Sequence, residues 1–281
     1  SDGRHDQGRA AGRRVGPELV DVEVEVAASE SAGGPASLTG YTVGNPSTGY
    51  GELARTDPIG FLRLCRERYR FRDYTCTFVK QELIGNRLSA AQEIAVRFRE
   101  EPYSVDMEWV KNADQASRAL YVENAWKDRR GRELAWFKPA GALIRLIVPK
   151  IKQPILGSRA KAASRRSLDQ FGFSRTLDLI IRYVEKGRRN DVLELHYTGE
   201  GDIEGRPTYV FERFLPYDGR EAHYPDNLLR YHIDQEWLIP SACYSYSDRE
   251  GKKLLGSYVL TDVTFDVGLG DDDFDPSKND F

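Results

Sequence analysis

The residues most able to do chemistry are few and poorly arranged for it. The histidines are His5, His196, His223 and His232, and the cysteines are Cys65, Cys76 and Cys243. No Cys-x-x-Cys or His-x-x-x-His spacing occurs, so no spaced metal site is readable. A nucleophile elbow needs Gly-x-Ser-x-Gly and a phosphate loop needs Gly-x-x-x-x-Gly-Lys-Ser/Thr; neither is present. Gly199, Gly201 and Gly205 fall between two expected strands and not ahead of a helix, so they read as a hairpin turn. A Cys–His pair could form only through space, and no residue order supports one. The carboxylates from Asp266 to Asp275 lack the spacing of a calcium loop and read as a solvated acidic tail. The expectation is a non-enzymatic protein with no catalytic residues, no metal and no cofactor.

One stretch pairs two kinds of chemistry. Residues 141–157 are apolar with interspersed cations, and 158–167 carry Arg159, Lys161, Arg165 and Arg166 without an acid. Apolar and basic character side by side suits a lipid-proximal flap, with Leu143, Ile144, Arg145, Ile147, Arg159, Lys161, Arg165 and Arg166 as the candidates. An excursion this long is usually functional.

The elements around it are legible. Asp57-Pro58 is a helix start, followed by Phe61, Leu62, Cys65 and Tyr69 on one face. Ile94, Val96 and Phe98 then alternate with Ala95, Arg97 and Arg99, and Val105, Met107 and Trp109 alternate with polar residues. These are half-buried antiparallel strands. Ser174 is the expected cap of a second helix, Leu177, Ile180, Ile181 and Val184 its stripe, and Gly187 its stop. Strands resume to the end. Residues 1–56 are rich in Gly, Ala, Ser and Pro and read as a flexible or partner-docking arm ahead of a 57–281 domain.

The 281 residues contain 40% hydrophobic and 30% charged residues, which excludes a wholly disordered chain and a membrane channel. Lys and Arg number 41 against 44 Asp and Glu, a net charge of -3, so nucleic acid is not an expected partner. No apolar run approaches the ~20 residues of a membrane span. The chain starts at Ser1 with no apolar leader, which reads as a leader removed or a chain trimmed. Three cysteines read as buried thiols, although a Cys65–Cys76 bridge is conceivable.

The stretches Tyr74 to Glu82, Gln92 to Pro102, Ser164 to Ser167 ahead of Phe171 and Phe173, Tyr231 to Asp234, and Asp273 to Pro276 resemble a bacterial family of exported proteins of unknown function, the DUF 1571 family. The resemblance runs from about Asp57 to Phe281. That family is similar in layout to the periplasmic lipoprotein-carrier (LolA/LolB-like) proteins. The resemblance implies a periplasmic or otherwise exported location and a lipid or acyl-chain ligand. It also implies a mainly β (α+β) fold: a strongly curved antiparallel sheet, or incomplete β-barrel, with two main helices on its concave face. The ligand-cavity candidates are Ile94, Val96, Phe98, Val105, Met107, Trp109, Leu177, Ile181 and Val184. The rival expectation is a structural subunit with a self-filled core, docking through residues 1–56.

Overall fold

A computed structural model describes residues 49–279 and Phe281; the expectations placed on residues 1–48 lie outside the described residues. The chain runs through α1 (Gly49–Thr56), α2 (Pro58–Arg68), β1 (Asp73–Ile84), β2 (Arg87–Leu88), β3 (Gln92–Arg99), β4 (Ser104–Lys111), β5 (Ala116–Val122) and β6 (Leu134–Pro139). Then come α3 (Ala142–Ile147), β7 (Ile151–Pro154), α4 (Ser158–Ala163) and α5 (Phe173–Arg189). The last strands are β8 (Glu194–Ile203), β9 (Arg206–Phe214), β10 (Leu228–Asp234), β11 (Pro240–Tyr246) and β12 (Leu254–Phe265).

All strands pair antiparallel into one sheet of order β7-β6-β5-β4-β3-β1-β12-β11-β10-β9-β8, with β2 folded back on β1. The end strands β7 and β8 do not pair, so the sheet is open and not a closed barrel. The chain's first and last long strands meet at its centre, where Phe78 lies opposite Leu260. The expected alternation is present: β3 buries Ile94, Val96 and Phe98 and turns Ala95 outward.

Two apolar clusters cover the inner face. One joins β1, β3, β4 and β5 with Phe171 and Phe173. The other seats α1, α2 and α5 on β9, β10 and β11, with Phe61 stacked on Phe211 and Phe211 on Tyr231. Asp57 caps α2 as expected, accepting from the Gly60 N–H at 2.9 Å.

Three expectations change. Order begins upstream of Asp57: α1 is helical, and its Ala54 is fully buried in the second cluster. Gly187 does not stop α5. It lies inside the helix, where an added Cβ would come within 2.6 Å of Leu215, so its smallness serves packing. Ser174 does not cap that helix; Gly172, at φ 100, holds the cap position while the Ser174 hydroxyl donates to Glu100.

The acidic tail keeps Asp271 and Asp272 exposed to solvent, as expected, but it is also docked on the sheet, with Phe274 buried. Arg97 and Arg118 both donate to Asp106 and both hold Asn279, while Arg99 pairs with Asp271 at 2.9 Å and lies over Phe274. The outward phase of β3 and β5 thus supplies cations that draw the tail onto the sheet. The three cysteines are buried and free.

Leu177 is fully buried between α5 and the sheet. Replacing it with alanine removes that contact and leaves a void, so Leu177→Ala should lower the unfolding free energy by about 2–5 kcal/mol in urea denaturation. A loss of a few tenths would show that the helix is not a structural cover.

Candidate functional site

The two clusters do not meet everywhere. Between them lies a cavity of about 200 Å³. Its lining comes from strands as far apart in the sheet order as β6, with Phe137, and β9, with Arg213, so the sheet must wrap around it. Leu179, Ile180 and Tyr183 of α5 close one side, and Ala160, Leu168 and Phe171 from α4 and the segment after it close another. Asp114, Gln115 and Ala163 line it and are solvent-exposed, which marks a mouth. The remaining wall is largely apolar, including Phe78, Met107, Leu229 and Leu260.

A polar group interrupts this lining. Glu82, 3% exposed, accepts from the Ser164 hydroxyl at 2.8 Å, the Tyr258 hydroxyl at 2.9 Å, Lys80 at 3.1 Å and the Arg165 amide at 3.2 Å. It thereby fastens the segment after α4 to β1 and β12. Nearby, Arg213 donates to Asp226, and Ser245 donates to the same carboxylate at 3.1 Å; Arg213 and Asp226 are both almost wholly buried. Burial pushes the Tyr258 phenol well above its ordinary range. It also pushes the Cys243 thiol up to about 12, against the pull of Arg166 and Arg213.

The structure sorts the sequence candidates. Of the proposed cavity residues, Met107 and Trp109 line the cavity. Ile94, Val96, Phe98 and Val105 are packed in the first cluster, and Leu177, Ile181 and Val184 pack in the second, so these seven are core. Their strand and stripe positions set which face is inward, and packing then consumed them.

The basic run divides as well. Arg159 and Lys161 are exposed on α4. Arg165 turns to Glu221 and the Pro225 carbonyl. Arg166 lines the cavity. On α3, Ile144 is 54% exposed and Ile147 83%, beside Leu146 at 82%; the side chains of Leu143 and Arg145 lie outside the described residues. The α3 segment adjoins the mouth, because the Ala140 amide donates to the Gln115 carbonyl at 2.9 Å.

His223 pairs with Asp218, and His232 lies 3.0 Å from the Thr208 hydroxyl, its basicity lowered by burial and then by Arg230. Among the described residues no cluster of His, Cys, Asp or Glu is placed to hold a metal ion. No helix among them is long and apolar enough to cross a membrane.

Asp226 neutralises a guanidinium whose side chain is only 1% exposed. Asp226→Ala strands Arg213, and urea unfolding should register a loss of about 3–5 kcal/mol. A neutral result would mean that Arg213 finds water.

No curated protein matches the chain. Among solved structures, a DUF1329 family protein from Desulfovibrio piger is 12% identical, with a TM-score of 0.39, over 78% of this chain and 96% of that one. A putative outer membrane lipoprotein-sorting protein domain from Vibrio parahaemolyticus is 12% identical, TM-score 0.38, over 78% and 98%. A chain of the Pseudomonas aeruginosa MucA/MucB complex is 16% identical, TM-score 0.43; the match covers 78% of this chain but only 60% of that one. At these scores the likenesses carry no functional weight. The family profile described as protein of unknown function (DUF1571) matches residues 71–281, which include both apolar clusters' strands, α5 and the whole cavity lining. Over that span the chain belongs to the DUF1571 family.

Proposed function

We propose that the protein is a non-enzymatic, exported cell-envelope protein that holds a lipid or acyl chain in the cavity between its sheet and helices. The observation that carries this reading is an internal space with a largely apolar wall and a mouth at Asp114, Gln115 and Ala163. Each methylene moved from water into such a wall contributes roughly 0.8 kcal/mol. The exposed apolar side chains of α3 beside the mouth support the second half of the reading, in which this edge meets a lipid surface during loading. A periplasmic location follows from the same reading. The rival, a subunit docking through residues 1–56, rests mainly on residues outside the described set.

Native mass spectrometry of the protein after mild extraction should reveal a co-purifying apolar mass, released by organic solvent. A ligand-free protein that also takes up no added acyl chain would sink the carrier reading. Leu146→Glu places a charge on a side chain that packs against nothing, so stability should hold while uptake of an acyl chain from vesicles slows. Unchanged uptake would remove α3 from the loading path.

A further inference from the structure

One cation in the cavity has no counterpart. Arg166 lines the cavity, yet its guanidinium makes no hydrogen bond or ion pair among the described residues. Its charged neighbours are engaged, Lys80 with Glu82, Arg165 with Glu221, and Arg213 with Asp226, while Asp114, also in the lining, is exposed at the mouth.

Hydrogen-bond donors around Arg166 are in surplus. The Nε atoms of Arg165 and Arg213 are buried without an acceptor. Arg166 and Arg213 share a neighbourhood, since both act on the Cys243 thiol and Asp226 acts on Arg166. Burial works against the charge of Arg166, and the carboxylates of Asp226 and Glu221 favour it from a distance without pairing with it. Arg166 is half-buried, and a partly desolvated charge without a partner is costly, while a guanidinium offers a planar fork suited to carboxylate or phosphate oxygens.

We propose that the cavity takes an anionic amphiphile, with Arg166 receiving its carboxylate or phosphate head while the tail lies against the apolar wall. This rests on the reading that the cavity binds an apolar tail, and goes beyond it by assigning the charge of the head and the residue that selects it. Arg213 is positioned to assist but is already committed to Asp226. The head lies inside, near Glu82 and Asp226, which leaves the exposed Arg159 and Lys161 outside the binding contact.

The test is calorimetric titration of the delipidated full chain with decanoate, decyl phosphate and decanol. The parent protein should bind at least one anion about tenfold or more tighter than decanol, as expected of a charge-assisted contact; whichever anion is preferred identifies the head. Arg166→Met keeps a stem of similar length and should erase the preference for an anion over decanol. Arg166→Lys should restore part of it, and Arg159→Gln should change nothing. The ligand-free Arg166→Met protein should unfold at a temperature no lower than the parent, because an unpaired, half-buried cation is gone. Equal binding of anion and alcohol by the parent overturns the proposal and leaves the cavity reading standing. A preference that survives Arg166→Met, or a drop in its unfolding temperature, also overturns it. Failure of all three ligands to bind overturns both.

Discussion

The inner face of the sheet is wider than the helices that must cover it. Eleven strands in hydrogen-bonded succession, at about 4.8 Å each, span roughly 48 Å. The two main helices have 11 and 17 residues, about 16 and 25 Å long at 1.5 Å per residue. Both belong to the apolar cluster over β9 to β11. The other half, from β1 to β5, is covered by Phe171, Phe173 and Ile155, which come from connections and a helix end. Cover of two kinds meets along a seam, and the cavity lies in that seam. Curling brings β6 and β9 to one space but cannot close it, because β7 and β8 remain unpaired.

Polar groups in the seam have two different jobs. Glu82 spends all its acceptor capacity on four donors, so it works as a rivet between β1, β12 and the segment after α4. Arg213, Asp226 and Ser245 form a second set on β9, the segment before β10, and β11, in which only the Arg213 Nε lacks an acceptor. A structural ion pair is complete when neither partner has spare capacity. Arg165 and Arg213 each have an ion-pair partner and Arg166 has none among the described residues, which sets it apart from these neighbours.

Much of the scaffold could be read from the chain, because burial on one face of a strand or helix writes itself as a period. Ile94, Val96 and Phe98 alternate for that reason, as do Leu177, Ile180 and Val184 at helical spacing. The same signal cannot separate a core position from a cavity position, since both are inward and apolar. Only Met107 and Trp109 among those candidates reach the cavity, and most of its distinguishing residues sit on the aperiodic segment 164–171 or on polar strand positions such as Arg213. A basic run without periodicity gives no hint of which cations turn inward. The docking of the acidic tail was more accessible: Arg97 and Arg99 flank Phe98 on the outward phase, and a row of cations on one strand is complementary to Asp271 and Asp273.

The apolar side chains of α3 have no counterpart in the folding argument. Isolated exposed apolar residues are ordinary on protein surfaces and need no account. Ile144, Leu146, Ile147 and Val148 are nearly contiguous, and each is at least 37% exposed. Folding gains little from them, so polar replacements would leave stability nearly intact. Their position matters more than their number, because the strand pairing of Ala116 with Pro139 sets the start of α3 beside the mouth. An apolar edge next to the entrance of an apolar cavity shortens the distance over which a tail must cross water. Under the proposed function the two features form one path. A tail enters past α3, the wall accepts it, and an anionic head stops where Arg166 waits without a partner.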